Sequence, residues 1–233
     1  MPTIFDNIEQ HLLPALSAAV GLSYRADFCV GYFNLRGWRQ LDSLVENWSG
    51  GDGNCCRLLV GMHRPAEEQL LRTATIPHPA DEMDNASAKR WQKRLAEEFR
   101  DQLTLGAPTD ADEAGLRRLA RQIRTGKLQV KLFLRHHLHA KLYLLQRADP
   151  LSPKIGFLGS SNLTMAGLSK QGELNVDITD ADAWDKLAQW FLDRWNDRFC
   201  IDISHDLIEI IESSWAREIQ PPPGTRIVMW NEE

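Results

Sequence analysis

The chain has no apolar run approaching the ~20 residues a helix needs to cross a bilayer. Its first ten residues, MPTIFDNIEQ, are acidic where a secretory signal is basic. Together these predict a soluble, cytoplasmic protein with no membrane partner. Cysteine is scarce: Cys55 and Cys56 are adjacent, Cys29 and Cys200 stand alone, and none sits in a CxxC or Cys/His spacing. That argues against a zinc site and predicts reduced thiols in or near the core. A basic excess is missing as well. With 27 Lys and Arg against 32 Asp and Glu, the net charge is −5. No whole-molecule field draws in nucleic acid, so any phosphate binding must come from a local cluster. Internal repeats and low-complexity tracts are absent.

What is present is enough for a sizeable core: 233 residues, 43% of them hydrophobic, fit one large domain with an inserted segment. The opening IFDNIEQHLLPALSAAV has helical apolar spacing, with Asp6 as a cap and Pro14 as a break. DFCVGYF and CCRLLVGM are short apolar runs around a helical GWRQLDSLVENW, which predicts a β-α-β unit with parallel strands. From about residue 64 to 127 the chain is charge-rich and helical in spacing, as in SAKRWQKRLAEEFRDQL and ADEAGLRRLARQIRTGK. This predicts a helical insertion. Strands return as LQVKLFL, HAKLYLLQ, KIGFLGS and ELNVDIT, and two helices follow, from Asp182 and from Ser204. The expected fold is α/β, a mixed sheet flanked by helices. Residues 1–219 form the domain and 220–233 a proline-rich tail or linker.

Alternation along LHAKLYLLQR places Leu138, Ala140, Leu142 and Leu144 on one face and His139, Lys141 and Tyr143 on the other. The first face reads as core, and the second spends core surface on an imidazole and an ammonium. ELNVDI repeats the pattern, with Leu174, Val176 and Ile178 opposite Glu173, Asn175 and Asp177. Between the two, GSSNLT follows an apolar strand, so backbone there can approach a ligand while Ser160 and Asn162 donate hydrogen bonds. No cluster has metal-ligand spacing. This inventory suits phosphodiester cleavage without a metal or other cofactor. Lysine, serine and asparagine would hold the non-bridging oxygens. Histidine would attack phosphorus or protonate the leaving oxygen, with a carboxylate fixing its tautomer.

His139-Ala-Lys141, Gly159-Ser160-Ser161-Asn162 and Glu173, eleven residues after the asparagine, resemble the phospholipase D superfamily in its nuclease branch with one HxK motif per chain. The resemblance implies a phosphohistidine on His139, phosphate held by Lys141, Asn162 and Ser160, and Glu173 orienting the histidine. VGYFNLRGW, LLVGM, a helical stretch and LHAKLY are also similar to phospholipase D-like modules of bacterial superfamily 2 DNA helicases and defence systems. This implies a nucleic-acid substrate, most naturally DNA, and a helicase as partner or as a fused neighbour. One departure is Gln146, where the superfamily motif has aspartate five residues after the lysine.

Each feature has a plainer reading. HxK alone fits a strand edge, and GSSN a turn or helix cap. His136 and His137 read as loop residues, and Trp184, Trp190, Trp195 and Trp215 as packing residues in amphipathic helices. Arg117, Arg118, Arg121, Arg124 and Lys127 fit either a solvated helix face or a track for a nucleic-acid backbone. The rivals to the nuclease are a catalytically weak DNA-binding or dimerisation module, for which Gln146 speaks, and a phospholipid-acting enzyme, against which the lack of a basic amphipathic helix speaks. A single motif supplies one imidazole where attack and leaving-group protonation need two. That predicts a C₂ homodimer with a shared site.

Overall fold

The computed structural model describes residues 2–61, 85–104 and 109–214. Residues 64–84 of the predicted insertion, Trp215 and the tail from Gln220 lie outside them. In chain order the elements are β1 (Ile4–Phe5), α1 (Leu12–Gly21), β2 (Ser23–Val30), α2 (Leu35–Trp38), α3 (Asp42–Val45) and β3 (Cys56–Val60). Then come α4 (Asn85–Leu103), α5 (Asp110–Arg124), β4 (Leu128–Phe133), β5 (Leu142–Arg147), β6 (Lys154–Gly159) and α6 (Met165–Ser169). The last are β7 (Asn175–Ile178), α7 (Ala181–Trp195), β8 (Cys200–Asp202) and α8 (Ser204–Ser213).

One eight-stranded sheet runs in the order β1-β7-β6-β5-β2-β3-β4-β8. The predicted β-α-β unit is there: β2 pairs parallel with β3, and β3 parallel with β4. All other neighbours are antiparallel. These directions bring the C-terminal ends of β2, β3, β4 and β6 and the N-terminal ends of β5, β7 and β8 to one edge of the sheet. Every sequence motif singled out for chemistry lies at that edge.

Both faces of the sheet's centre are buried, which corrects the expectation of one core face and one polar face. Phe28, Tyr143, Leu145 and Phe157 point into a core shared with α1, α4, α5 and α8. Cys29, Leu59, Phe133, Leu142 and Leu144 point the other way, against Trp184, Phe191 and Trp195 of α7. The strands at the centre of this sheet therefore carry apolar residues at successive positions, as strands covered on both sides do. The described helices of the predicted insertion pack on this sheet as well. Leu95, Ala96, Phe99 and Leu103 of α4 and Leu116, Leu119, Ala120 and Ile123 of α5 belong to the first core.

The basic run of α5 is held within the molecule. Arg118 pairs with Asp42 at 2.8 Å, Arg121 with Glu46 at 3.2 Å, Arg117 with Glu113 and Arg124 with Glu212. Lys127 Nζ donates to the Glu46 carbonyl at 2.6 Å. Arg118, Arg121 and Arg124 tie α5 to α3 and α8, and Lys127 leads into β4 at the edge of the sheet opposite the motifs. Several local details differ from the sequence reading: Ile4 and Phe5, read as helical, form β1, and the helix read over GWRQLDSLVENW is split into α2 and α3. Pro14 does not break α1: it sits in the first turn, where its missing N–H has no intrahelical partner to lose. Asp6 caps a turn instead, accepting from the N–H groups of Ile8, Glu9 and Gln10. β8, three residues long, was not anticipated.

Candidate active site

Three loops meet at the motif edge. The HxK loop follows β4 and enters β5. Its histidine and lysine lie just before the strand, which begins at Leu142. Leu138 N–H donates to the Gly61 carbonyl at 3.0 Å, fixing the loop to the end of β3. The contact is so close that a Cβ on Gly61 would stand 2.1 Å from the Leu138 carbonyl oxygen. The Lys141 carbonyl accepts from Gly159 N–H at 3.1 Å, which ties the motif to β6.

His139 is exposed, whereas Lys141 retains only 3% of its surface. The buried ammonium has one described neighbour: Lys141 Nζ lies 2.8 Å from His139 Nδ1, 2.7 Å from Nε2 and 3.0 Å from the His139 carbonyl oxygen. It can donate only to a ring nitrogen that presents a lone pair. Burial lowers the Lys141 pKa, and the charge of Glu173 works against that shift. Among the described residues no carboxylate forms an ion pair with Lys141.

The GSSN loop is built from backbone outward. Ser161, fully buried, accepts from Asn175 Nδ2 at 2.8 Å through its hydroxyl and donates its N–H to Asn175 Oδ1 at 3.2 Å. Its carbonyl accepts from the Tyr143 hydroxyl at 2.8 Å. Asn162 Oδ1 accepts from the N–H of Tyr32 at 2.9 Å. Among the described residues nothing accepts from its side-chain NH₂, which leaves two donors for a ligand. Asn34 N–H donates to the Leu163 carbonyl at 3.2 Å. Gly37 lies so near that a Cβ would meet that oxygen at 2.4 Å. The segment GYFNLRG is thus the wall against which the asparagine loop is set.

Ser160 and Glu173 belong to the third contact. Ser160 Oγ accepts from Leu174 N–H at 2.9 Å, and Ser160 N–H donates to the Leu174 carbonyl at 3.0 Å. Glu173 N–H donates to the Asp6 carbonyl at 3.1 Å. The structure brings Glu173 within electrostatic reach of Lys141, and no hydrogen bond joins it to His139 among the described residues. Leu174, expected in the core, is 65% exposed, whereas Asn175, expected on the polar face, is 2% exposed. Gln146 lies five residues along the chain from Lys141, roughly 16 Å at the strand rise, and accepts from the Tyr24 hydroxyl at 3.3 Å.

The sequence reading missed Tyr32, whose ring meets that of His139 edge to face at 6.4 Å, and the Ser161–Asn175–Tyr143 brace. A buried asparagine in a strand is the trace the brace leaves in the sequence, and Tyr32 leaves none beyond its nearness to Gly31. The described residues also hold His205, Asp206 and Glu209 on α8, with ligand atoms within 4.8 Å of one another. They follow β8 at the edge opposite the HxK loop, so they take no part in this site.

An imidazole over a buried ammonium, an amide and a carboxylate at the open edge of a mixed sheet define a phospholipase D-like domain, a fold of phosphodiesterases. The chain belongs to that family: the family model described as "Cardiolipin synthase, PLD-like domain" matches residues 15–195. No curated protein matches the sequence. Among solved structures the chain is similar in fold to phosphatidylserine synthase from Haemophilus influenzae Rd KW20, with TM-score 0.50 and 16% identity over 88% of this chain and 40% of that one. It also matches Nuc from Salmonella typhimurium, a phospholipase D family member, with TM-score 0.48 and 12% identity over 87% and 97%. NucT from Helicobacter pylori matches with TM-score 0.46 and 10% identity over 87% and 98%. Family membership supports phosphodiesterase activity.

Proposed function

We propose that the protein is a metal-independent nuclease that cleaves nucleic acid, DNA in the first place, through a phosphohistidine on His139. The observation that carries this is Lys141, a buried ammonium whose nearest partners are the ring nitrogens of an exposed histidine. Such a charge has its use when a phosphate arrives. The Lys141 ammonium and the Asn162 NH₂ hold the non-bridging oxygens, and a neutral His139 nitrogen attacks phosphorus. The bond from phosphorus to the leaving oxygen breaks, and that oxygen takes a proton from a second imidazole. Water then attacks phosphorus, gives its proton to the second imidazole and releases His139. Glu173 keeps the cationic intermediates favourable by charge.

The second imidazole is His139 of an identical subunit, in a C₂ homodimer with a composite site. Ile4, Leu158 and Leu174 support this: they are 59%, 37% and 65% exposed and share one sheet face with Val176, beginning one residue from Glu173. The position of Gln146, far along β5 and bonded to Tyr24, supports reading it as a structural difference. Work beside a helicase, in defence or repair, fits the resemblance of VGYFNLRGW and LLVGM to helicase-associated modules.

The test is cleavage of single- and double-stranded DNA in EDTA, with solution mass measured on the same sample. Cleavage by a dimer, severely impaired in a His139→Ala/wild-type heterodimer, is the expected result. Activity that returns only with Mg²⁺ or Mn²⁺ overturns the metal-independent mechanism, and full activity from a strict monomer overturns the shared site.

A further inference from the structure

We infer that Tyr32 is a stacking platform for the nucleobase next to the scissile phosphate, and that it makes the site prefer phosphodiesters carrying a base. The inference rests on the nuclease reading and goes beyond it by naming what the site holds besides phosphate. Tyr32 follows β2 at the motif edge, and its backbone N–H is what fixes the Asn162 amide. Its ring stands 6.4 Å from the His139 ring, at an interplanar angle of 78°. That separation lies near the outer limit of an aromatic pair, so the imidazole covers little of the tyrosine. The residue is 44% exposed.

Elsewhere at this edge the aromatic rings are spent on packing. Phe33 is 6% exposed and stacks on Phe99 at 5.9 Å; Tyr143 is 1% exposed and donates its hydroxyl to Ser161. Among the described residues Tyr32 is the ring left open beside the attacking nitrogen. Among the described residues no hydrogen bond is made by its hydroxyl, so the ring itself is what the residue offers.

A phosphate held by His139, Lys141 and Asn162 carries its sugar and base outward, past the loop from which Tyr32 projects. A base laid on a tyrosine face gains about 1–3 kcal/mol and does so whatever the base, because each has a π-face. Among the described residues, Arg135 at this edge is paired with Asp197 at 2.8 Å, and the α5 guanidiniums pair at the far edge. Stacking therefore supplies affinity that an acidic protein does not draw from charge.

The experiment compares cleavage of an oligonucleotide with one in which the nucleotides flanking the cut are abasic. It uses wild type, Tyr32→Phe and Tyr32→Ala, each checked by circular dichroism. Wild type and Tyr32→Phe should favour the base-bearing strand by roughly 10-fold or more in KM, and in Tyr32→Ala that ratio should collapse towards one. A second readout uses 2-aminopurine beside the cut on His139→Ala protein. Its fluorescence should be quenched on binding, and quenching should be lost when Tyr32→Ala is added. Equal cleavage of both strands by wild type overturns the platform and leaves the nuclease standing. Loss of the preference in Tyr32→Phe also overturns it, by assigning the hydroxyl instead. Neither cleavage nor binding of either strand brings down both readings together.

Discussion

The two halves of the sheet do different work. On one side β2, β3 and β4 run parallel, covered on both faces, and their buried charges are paired. The Arg57 guanidinium grips Asp27 at 2.5 and 2.6 Å and lies over the rings of Phe191 and Trp195. On the other side β5, β6, β7 and β1 run antiparallel and are partly open at the outer strands, and the charge just before β5, Lys141, has no ionic partner among the described residues. The parallel half neutralises its charges and the antiparallel half keeps one available, which sets the candidate site apart from the packed half.

The sharpest way to break this contrast is His139→Ala, which should abolish turnover in EDTA while leaving the melting curve near that of wild type. Appreciable cleavage by that variant would move the reaction to another site. In the parallel half the effect should reverse. Asp27→Ala leaves the largely covered Arg57, 13% of its side chain exposed, without its partner and should cost about 3–5 kcal/mol of stability in urea unfolding. A loss under 1 kcal/mol would show that solvent reaches the guanidinium.

Lys141→Met tests both halves of the argument in one protein. Turnover should fall by roughly 10²-fold or more, the scale of a lost oxyanion donor, and the melting temperature should rise, because a charge disfavoured by burial is gone. The pH dependence has a definite sign. The folded Lys141 pKa lies below the ordinary 10.5, so between the two values the unfolded chain binds more protons, and wild-type stability gains as pH rises through that window. Lys141→Met should lack that gain, so its stability advantage should shrink towards pH 10.5. A constant advantage would mean that the lysine is not desolvated. The smallest effect expected is on association: Leu174→Asp should weaken the dimer about tenfold or more, seen by sedimentation. An unchanged dimer would place the interface elsewhere.

Much of this was legible before the structure. The parallel β2–β3 pair followed from two Gly-bounded apolar runs, and α4, α5, α7 and α8 from helical spacing. His139 and Lys141 stood out because polar residues interrupted an apolar run. Three features escaped for physical reasons. β8 is too short for alternation to show. Tyr143 looked solvent-facing because its neighbours two and four residues back are polar, yet the strand passes beneath a helical layer where those neighbours do not. Leu174 looked like core because apolar character does not reveal whether a sheet face is covered. The loop contacts through Gly61 and Ser161 depend on backbone proximity between segments over 70 and 14 residues apart in the chain, by the Gly61–Leu138 and Ser161–Asn175 bonds, and no local pattern records such meetings.

All four cysteines are free and buried, with Cys29 and Cys200 pushed up to about 12 by desolvation and Cys55 and Cys56 raised by the same cause. Thiolate, the form that oxidants and electrophiles attack, is therefore rare in the native protein. A burst of peroxide that silences enzymes with exposed thiols would pass this one by. Cys29 lies in β2, one strand from the HxK loop and within electrostatic reach of Lys141, so the sulfur beside the candidate site stays a buried, protonated thiol.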